Sequence, residues 1–226
     1  MPFINRCGGG SVVGTTLKDV MDQIVSYKSV ITVNGEERSN LLVQPSDFST
    51  QNYLEPNTSY ADISIVEDAD AEDGSALLVA NSGQGNSGSA NYRYDRLAYE
   101  TTIPNTAGGG AYLVVMRAKA TSYTRSQSSA LGIHPYYVPI GQAYEGSVGH
   151  SSTAFFTRVT TSYRQYFFLV NINDSAYLQR VLLSVTMQAS TSGTNPRPDY
   201  YIDWLSVYDV SGIDLTAYDA LIQSAY

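Results

Sequence analysis

The feature that most constrains this chain is its punctuation. Short runs rich in Val, Ile, Leu and Tyr recur along most of its length, and clusters of Gly, Ser, Asn and Pro separate them. The runs are Asn40–Val43, Asp62–Val66, Ala76–Ala80, Asn91–Tyr99, Ala111–Ala118, Ala130–His134, Thr153–Val159, Tyr163–Ile172, Tyr177–Ala189 and Asp199–Val210. Many short strands with regular turn signals and no long helical period predict a sandwich or barrel. Residues 81–89, 104–110 and 190–198 read as the separating loops. In Tyr200–Tyr208 the alternation predicts Tyr201, Asp203, Leu205 and Val207 on one face, with Tyr200, Ile202, Trp204, Ser206 and Tyr208 on the other.

Two segments depart from that pattern. Leu17, Val20, Met21, Ile24 and Val25 follow helical spacing, with Thr15 or Thr16 as cap and Asp19 in the first turn. So short a helix needs a partner, which could be its own domain, a sister chain or a larger assembly. Val30–Val33 followed by Asn34-Gly35 predicts a hairpin. At the other end Leu215, Tyr218, Leu221 and Ile222 line one side of a short helix that Asp214 could cap. The expected organisation is therefore an N-terminal anchoring or oligomerisation arm over 1–38, with a Gly-rich start. A β domain follows over 39–211 and a helical tail over 212–226.

Charge narrows the partners. The net charge is −8, with only 15% charged residues, so a phosphate backbone or an anionic membrane would be repelled. No apolar run reaches the ~18–20 residues of a membrane span, and the start lacks a signal-peptide pattern. The expected protein is made in the cytoplasm and does not insert into membranes. Cys7 is the single cysteine, which excludes an internal disulfide, and His134 and His150 are too few for a zinc site.

The familiar catalytic patterns fail one by one. Glu67–Gly74 invites an EF-hand reading, but its Gly is one place late and its twelfth position is Val79. A solvated acidic turn is the better reading. His134 and His150 lie in no nucleophile motif. The Gly triplets at 8–10 and 108–110 lack the Lys of a phosphate loop. Nothing marks the opposed carboxylates of a glycosidase. The expectation is a non-enzyme without a cofactor. What stands out is 19 Tyr against 6 Phe and 1 Trp. Flat aromatic rings stack on sugars, while Arg, Asn and Glu bond hydroxyls. The ligand candidates are Tyr136 and Tyr137, Tyr123 with Arg125, Tyr144 with Glu145, and Tyr92 and Tyr94.

Four landmarks occur in order: N-L-L-V-Q-P-S-D-F-S (Asn40–Ser49), D-G-S-A-L-L-V (Asp73–Val79), Y-L-V-V-M-R-A-K-A (Tyr112–Ala120) and Y-Y-I-D-W-L-S-V-Y (Tyr200–Tyr208). Together they resemble carbohydrate-binding modules of the galactose-binding-like jelly-roll superfamily, over Asn40–Asp209. The resemblance implies an all-β jelly-roll sandwich and a glycan ligand. It also implies a structural calcium, with Asp47 and Asp203 as ligands. Ser49 stands where the family has a Glu ligand, and Asp203 tying down a loop by hydrogen bonds is the competing role. The layout of Gly-rich start, helix, hairpin and jelly roll is similar to bacteriophage tail, baseplate and head-fibre proteins. That similarity implies a virion structural protein that decorates the capsid or tail and binds other virion proteins. It would form a homo-oligomer, a trimer first, and display a glycan-binding domain. The alternative is an accessory module of a polysaccharide-degrading system.

Overall fold

The computed structural model describes residues 15–42, 56–57, 61–81, 93–100, 110–122, 131–138, 155–172, 180–189 and 198–215. Its elements are a helix α1 (Leu17–Gln23) and twelve strands: β1 (Ile31–Val33), β2 (Glu36–Arg38), β3 (Pro56–Asn57), β4 (Ala61–Glu67), β5 (Ser75–Asn81), β6 (Arg93–Glu100), β7 (Gly110–Ala120), β8 (Leu131–Val138), β9 (Phe155–Thr157), β10 (Arg164–Ile172), β11 (Arg180–Ala189) and β12 (Tyr200–Asp209). Two five-stranded antiparallel sheets make an all-β jelly-roll sandwich. The first has the order β10-β7-β12-β5-β4 and the second β3-β6-β11-β8-β9. From β3 onward the chain changes sheet at every step except within the hairpins β4–β5 and β8–β9.

The first sheet is apolar on both faces, which is why its strands read as near-continuous hydrophobic runs. On one face Tyr112, Val114, Met116, Tyr166, Phe168, Ile202, Leu205 and Val207 belong to one buried cluster. On the other, Leu113, Val115, Phe167, Leu169, Trp204 and Tyr208 belong to a second. The second cluster is completed by Leu17, Val20, Ile24, Ile31 and Val33, all buried. Of the three partners open to the helix, its own domain is thus the one that covers its apolar side. The case for self-association that rested on an unpartnered helix is met within the chain.

Local chemistry explains the attachment. Thr16 and Asp19 form a reciprocal capping box that satisfies two N-terminal amides. The helix stops at Gln23, one residue before Ile24, and Val25 lies outside it with 74% of its surface exposed. The expected apolar stripe therefore ends early. The Ser29 hydroxyl accepts from the amides of Val25 and Ser26, both at 3.0 Å, and turns the chain toward the hairpin. Asn34 (φ 50) and Gly35 (φ 85) supply the two positive φ values of a tight hairpin turn. Asn34 also fastens three segments. Its Oδ1 accepts from Thr15 N–H at 3.1 Å, its own N–H donates to Thr15 Oγ1 at 2.8 Å, and its Nδ2 donates to the Gly212 carbonyl at 3.0 Å. Of the helical tail expected over 212–226, the described part is not helix: Asp214, the expected cap, forms a parallel bridge with Thr16, and Ile213 and Leu215 pack against the same cluster, while 216–226 lie outside the described residues.

One register change corrects the predicted alternation in β12. Ile202 pairs with Ala118 and Trp204 with Arg117, so Asp203 is an extra, bulged residue. Beyond it the faces exchange. Tyr200, Ile202, Leu205 and Val207 share the inner cluster, and Trp204 and Tyr208 join the outer one.

Candidate functional site

The second sheet offers a face of different composition. Strand pairing places Tyr94 opposite Gln188, Arg96 opposite Thr186, Ala98 opposite Ser184, and Glu100 opposite Leu182. On the other side of β11, Thr186 faces Gly132, Ser184 faces His134, Leu182 faces Tyr136, and Arg180 faces Val138. Gly132 continues to Phe156 and Arg96 to Asn57. Residues directly opposite share a face. One face of this sheet therefore carries Tyr94, Arg96, His134, Tyr136, Phe156, Thr186 and Gln188. The intervening positions fall on the other face, apolar at Leu97, Tyr99, Leu131, Ile133, Val181, Leu183 and Val185, with Asp95 and Arg93 at its end.

This register separates the sequence candidates. Tyr94 and Tyr136 fall on the polar–aromatic face. Tyr137, opposite Val181, falls on the apolar one. Tyr136 and Tyr137 are strand residues, where a loop was expected after His134-Pro135. Proline lacks the N–H of a ladder residue. Among the described residues β9 pairs with Leu131–Ile133, and β8 continues beyond that pairing through Pro135, alongside β11. Tyr92, Tyr123, Arg125, Tyr144 and Asp47 lie outside the described residues. Arg96, Phe156, Thr186 and Gln188 were not singled out from sequence. The period-two alternation of Tyr94-Arg96-Ala98 and of Ser184-Thr186-Gln188 was the signal that could have found them.

A second constellation sits on the outer face of the first sheet, beyond the end covered by α1. Arg117 and Lys119 occupy the same face as Leu113 and Val115, two and four residues further along β7. The turn 68–74 is held there. Lys119 Nζ lies 2.6 Å from Asp68 Oδ2 and 3.5 Å from Asp70 Oδ2. Arg117 pairs with Asp203 and reaches the Asp70 carbonyl at 3.4 Å. Tyr163 lies against both cations, 4.6 Å from the Arg117 guanidinium and 4.4 Å from Lys119 Nζ, and donates to Asp68 Oδ2 at 2.9 Å. Burial works against the charge on Asp68, but the Lys119 ammonium, the Asp70 amide and the Tyr163 hydroxyl outweigh it and lower its pKa. Burial, then the bond to Asp68, pushes the Tyr163 phenol up, so it stays protonated as a donor. The acidic run is thus a clipped turn, not merely a solvated one. The signal lay in the pattern M-R-A-K-A, two cations on one face of an otherwise apolar strand.

Asp203 is 2% exposed, and both its carboxylate oxygens accept the Glu72 N–H, at 3.0 and 3.1 Å. Calcium takes about 6–8 hard oxygen ligands. Here the carboxylate is spent on an amide and a guanidinium, and the guanidinium charge repels a divalent ion at that place. Asp203 does not fit the calcium role and fills the competing one, a loop tie. Among the described residues no group of three or more His, Cys, Asp or Glu side chains is placed to hold a metal ion. No described helix is long and apolar enough to cross a membrane.

No protein-family model matches the chain, and no curated protein matches it. Solved structures that align with it include a family 4 carbohydrate-binding module, CBM4, at 12% identity, covering 83% of this chain and 91% of that one, with a TM-score of 0.41. The module TmCBM61, in complex with β-1,4-galactotriose, aligns at 11% identity over 75% of this chain and 98% of that one, TM-score 0.42. The family 29 module CBM29_1 from Piromyces equi aligns at 13% identity over 80% and 97%, TM-score 0.37.

Proposed function

We propose that the chain is a non-catalytic glycan-binding module whose ligand lies on the polar–aromatic face of the second sheet. The observation that carries this reading is the strand register, which gathers Tyr94, Tyr136 and Phe156 with Arg96, His134, Thr186 and Gln188. Aromatic rings supply flat stacking surfaces for sugar rings, and the interleaved polar residues supply hydroxyl-bonding groups. The first sheet offers no comparable face. Its inner face is core, and its outer face is occupied by α1 and the hairpin at one end and by the 68–74 turn at the other. The particle-borne role rested on a resemblance of layout, and its oligomer on an N-terminal helix in search of a partner. That helix is packed in its own domain, so the module reading is preferred.

The test uses two adjacent tyrosines. Binding to a panel of soluble polysaccharides is measured by calorimetry, and stability by thermal melting. Tyr136→Ala is expected to weaken binding by about tenfold, the loss of roughly 1.4 kcal/mol of contact, with the melting temperature little changed. Tyr137→Ala, on the opposite face of the same strand, is expected to leave affinity intact. The reverse pattern, or no binding to any saccharide, refutes the proposal.

A further inference from the structure

We propose that Arg117 and Lys119 are built-in cations that do, at the Asp203 carboxylate, the work the jelly-roll resemblance assigns to calcium, so that this fold's stability is independent of divalent ions. The argument starts from charge. Asp68, Asp70 and Asp203 converge where the turn between β4 and β5 meets the outer face of the first sheet. Asp70 is solvated, but Asp68 is largely buried and Asp203 buried, and both need counter-charge. Two side-chain cations supply the same charge as one divalent ion, and both come from the strand beneath.

Their environment is that of a fixed structural group. Lys119 and Asp68 are 16% and 10% exposed and lie 2.6 Å apart. Arg117 and Lys119 flank the same Tyr163 ring, which adds cation–π attraction and limits their rotamers. Lys119 also lies 5.3 Å from the Tyr201 ring. The β-bulge keeps Asp203 on the outer face, where Tyr201 pairs with Lys119, and brings Trp204 onto that face as well, so Asp203 stands beside Arg117 without a pairing position of its own. The turn is then tied at two points, Asp68 through Lys119 and the Glu72 amide through Asp203 and Arg117. A metal ion performing this tie would have to displace a covalently tethered cation.

The experiment is thermal unfolding of the full chain in millimolar calcium and in excess chelator, beside the variant Arg117→Met. The wild-type melting temperature is expected to be the same in both solutions. Arg117→Met is expected to melt roughly 6–20 °C lower, because it leaves the Asp203 carboxylate buried and unpaired. If that variant does not fold, the double variant Arg117→Met with Asp203→Asn decides. Removing the stranded charge while keeping an acceptor for the Glu72 amide is expected to restore folding. Chelator that lowers the wild-type melting temperature by several degrees overturns the proposal. So does an Arg117→Met protein that melts with wild type, or a double variant as unfolded as the single one.

Discussion

Leu17→Ala tests whether the first helix is an appendage or a wall of the domain. Leu17 is 1% exposed and belongs to the cluster that joins α1 and the hairpin to Leu113, Val115, Phe167, Leu169 and Trp204. Burying a leucine side chain is worth roughly 1.5–3 kcal/mol in transfer from water. Truncation adds a cavity term, because the walls are a sheet on one side and a hairpin fixed through Asn34 and Gln23 on the other. Leu→Ala substitutions at such sites cost roughly 2–5 kcal/mol. For a chain of this length each kcal/mol moves the melting temperature by about 2–4 °C, so a fall of roughly 4–20 °C is expected. Val25, 74% exposed just past the helix, is the internal control. Val25→Ala should stay within about 0.5 kcal/mol of wild type. The assay is a urea titration with a thermal melt, and the slope of the urea transition should be unchanged. If Leu17→Ala unfolds with Val25→Ala, the helix does not pack as described. The same reasoning predicts that a protein starting at Ser39 exposes Trp204 and Tyr208 and loses solubility, where a detachable arm would leave a folded sandwich.

Two further perturbations read other joints of the fold. Asn34→Gly keeps the positive φ but loses two side-chain hydrogen bonds, an expected cost of roughly 1–3 kcal/mol. Asn34→Ala adds backbone strain of about 1 kcal/mol or more, so its urea midpoint should fall further than that of the glycine variant. Acid should act through Asp68. Its folded pKa lies below the unfolded one, so the stabilisation is complete above the unfolded value of about 3.9 and is lost as pH falls through the folded value. Asp68→Asn should flatten that acid limb of the melting-temperature profile. An acid limb as steep as that of wild type would refute the assignment.

The fold class was legible because strand punctuation is local. The strands over 110–120, 164–172 and 200–209 sit close to their expected bounds, since most of their central residues are buried on both faces and read as long apolar runs. The misreadings come from partners that the local pattern does not show. Val25 fits a helical stripe, but Ser29, four residues on, takes its amide and ends the pattern. The strand expected to end at His134 runs on to Val138, because β11 pairs with it as far as Arg180. The bulge at Asp203 leaves no mark in I-D-W, because its cause is the meeting of β12 with Arg117 and the Glu72 amide. The candidate site was half legible for the same reason. Abundant tyrosine pointed to a stacking surface, but only strand register can tell Tyr136 from Tyr137.

The two sheets divide the labour, and that division is the strongest reason to look for ligand on one of them. An antiparallel sheet commonly keeps one face for a core and one for solvent. The first sheet departs from this. Much of its outer face is covered by α1 and the hairpin through apolar contact, and by the 68–74 turn through ion pairs and a tyrosine in contact with both cations. That cover makes it a backing for the sandwich. The second sheet is mostly apolar at the positions of Leu97, Ile133, Val181 and Val185, with a mixed polar and aromatic set at the alternate positions. A scaffold stiffened on one side and patterned with Tyr, Arg, His and Gln on the strands of the other suits binding, because a strand-borne surface has less backbone freedom to lose than a loop when a ligand arrives.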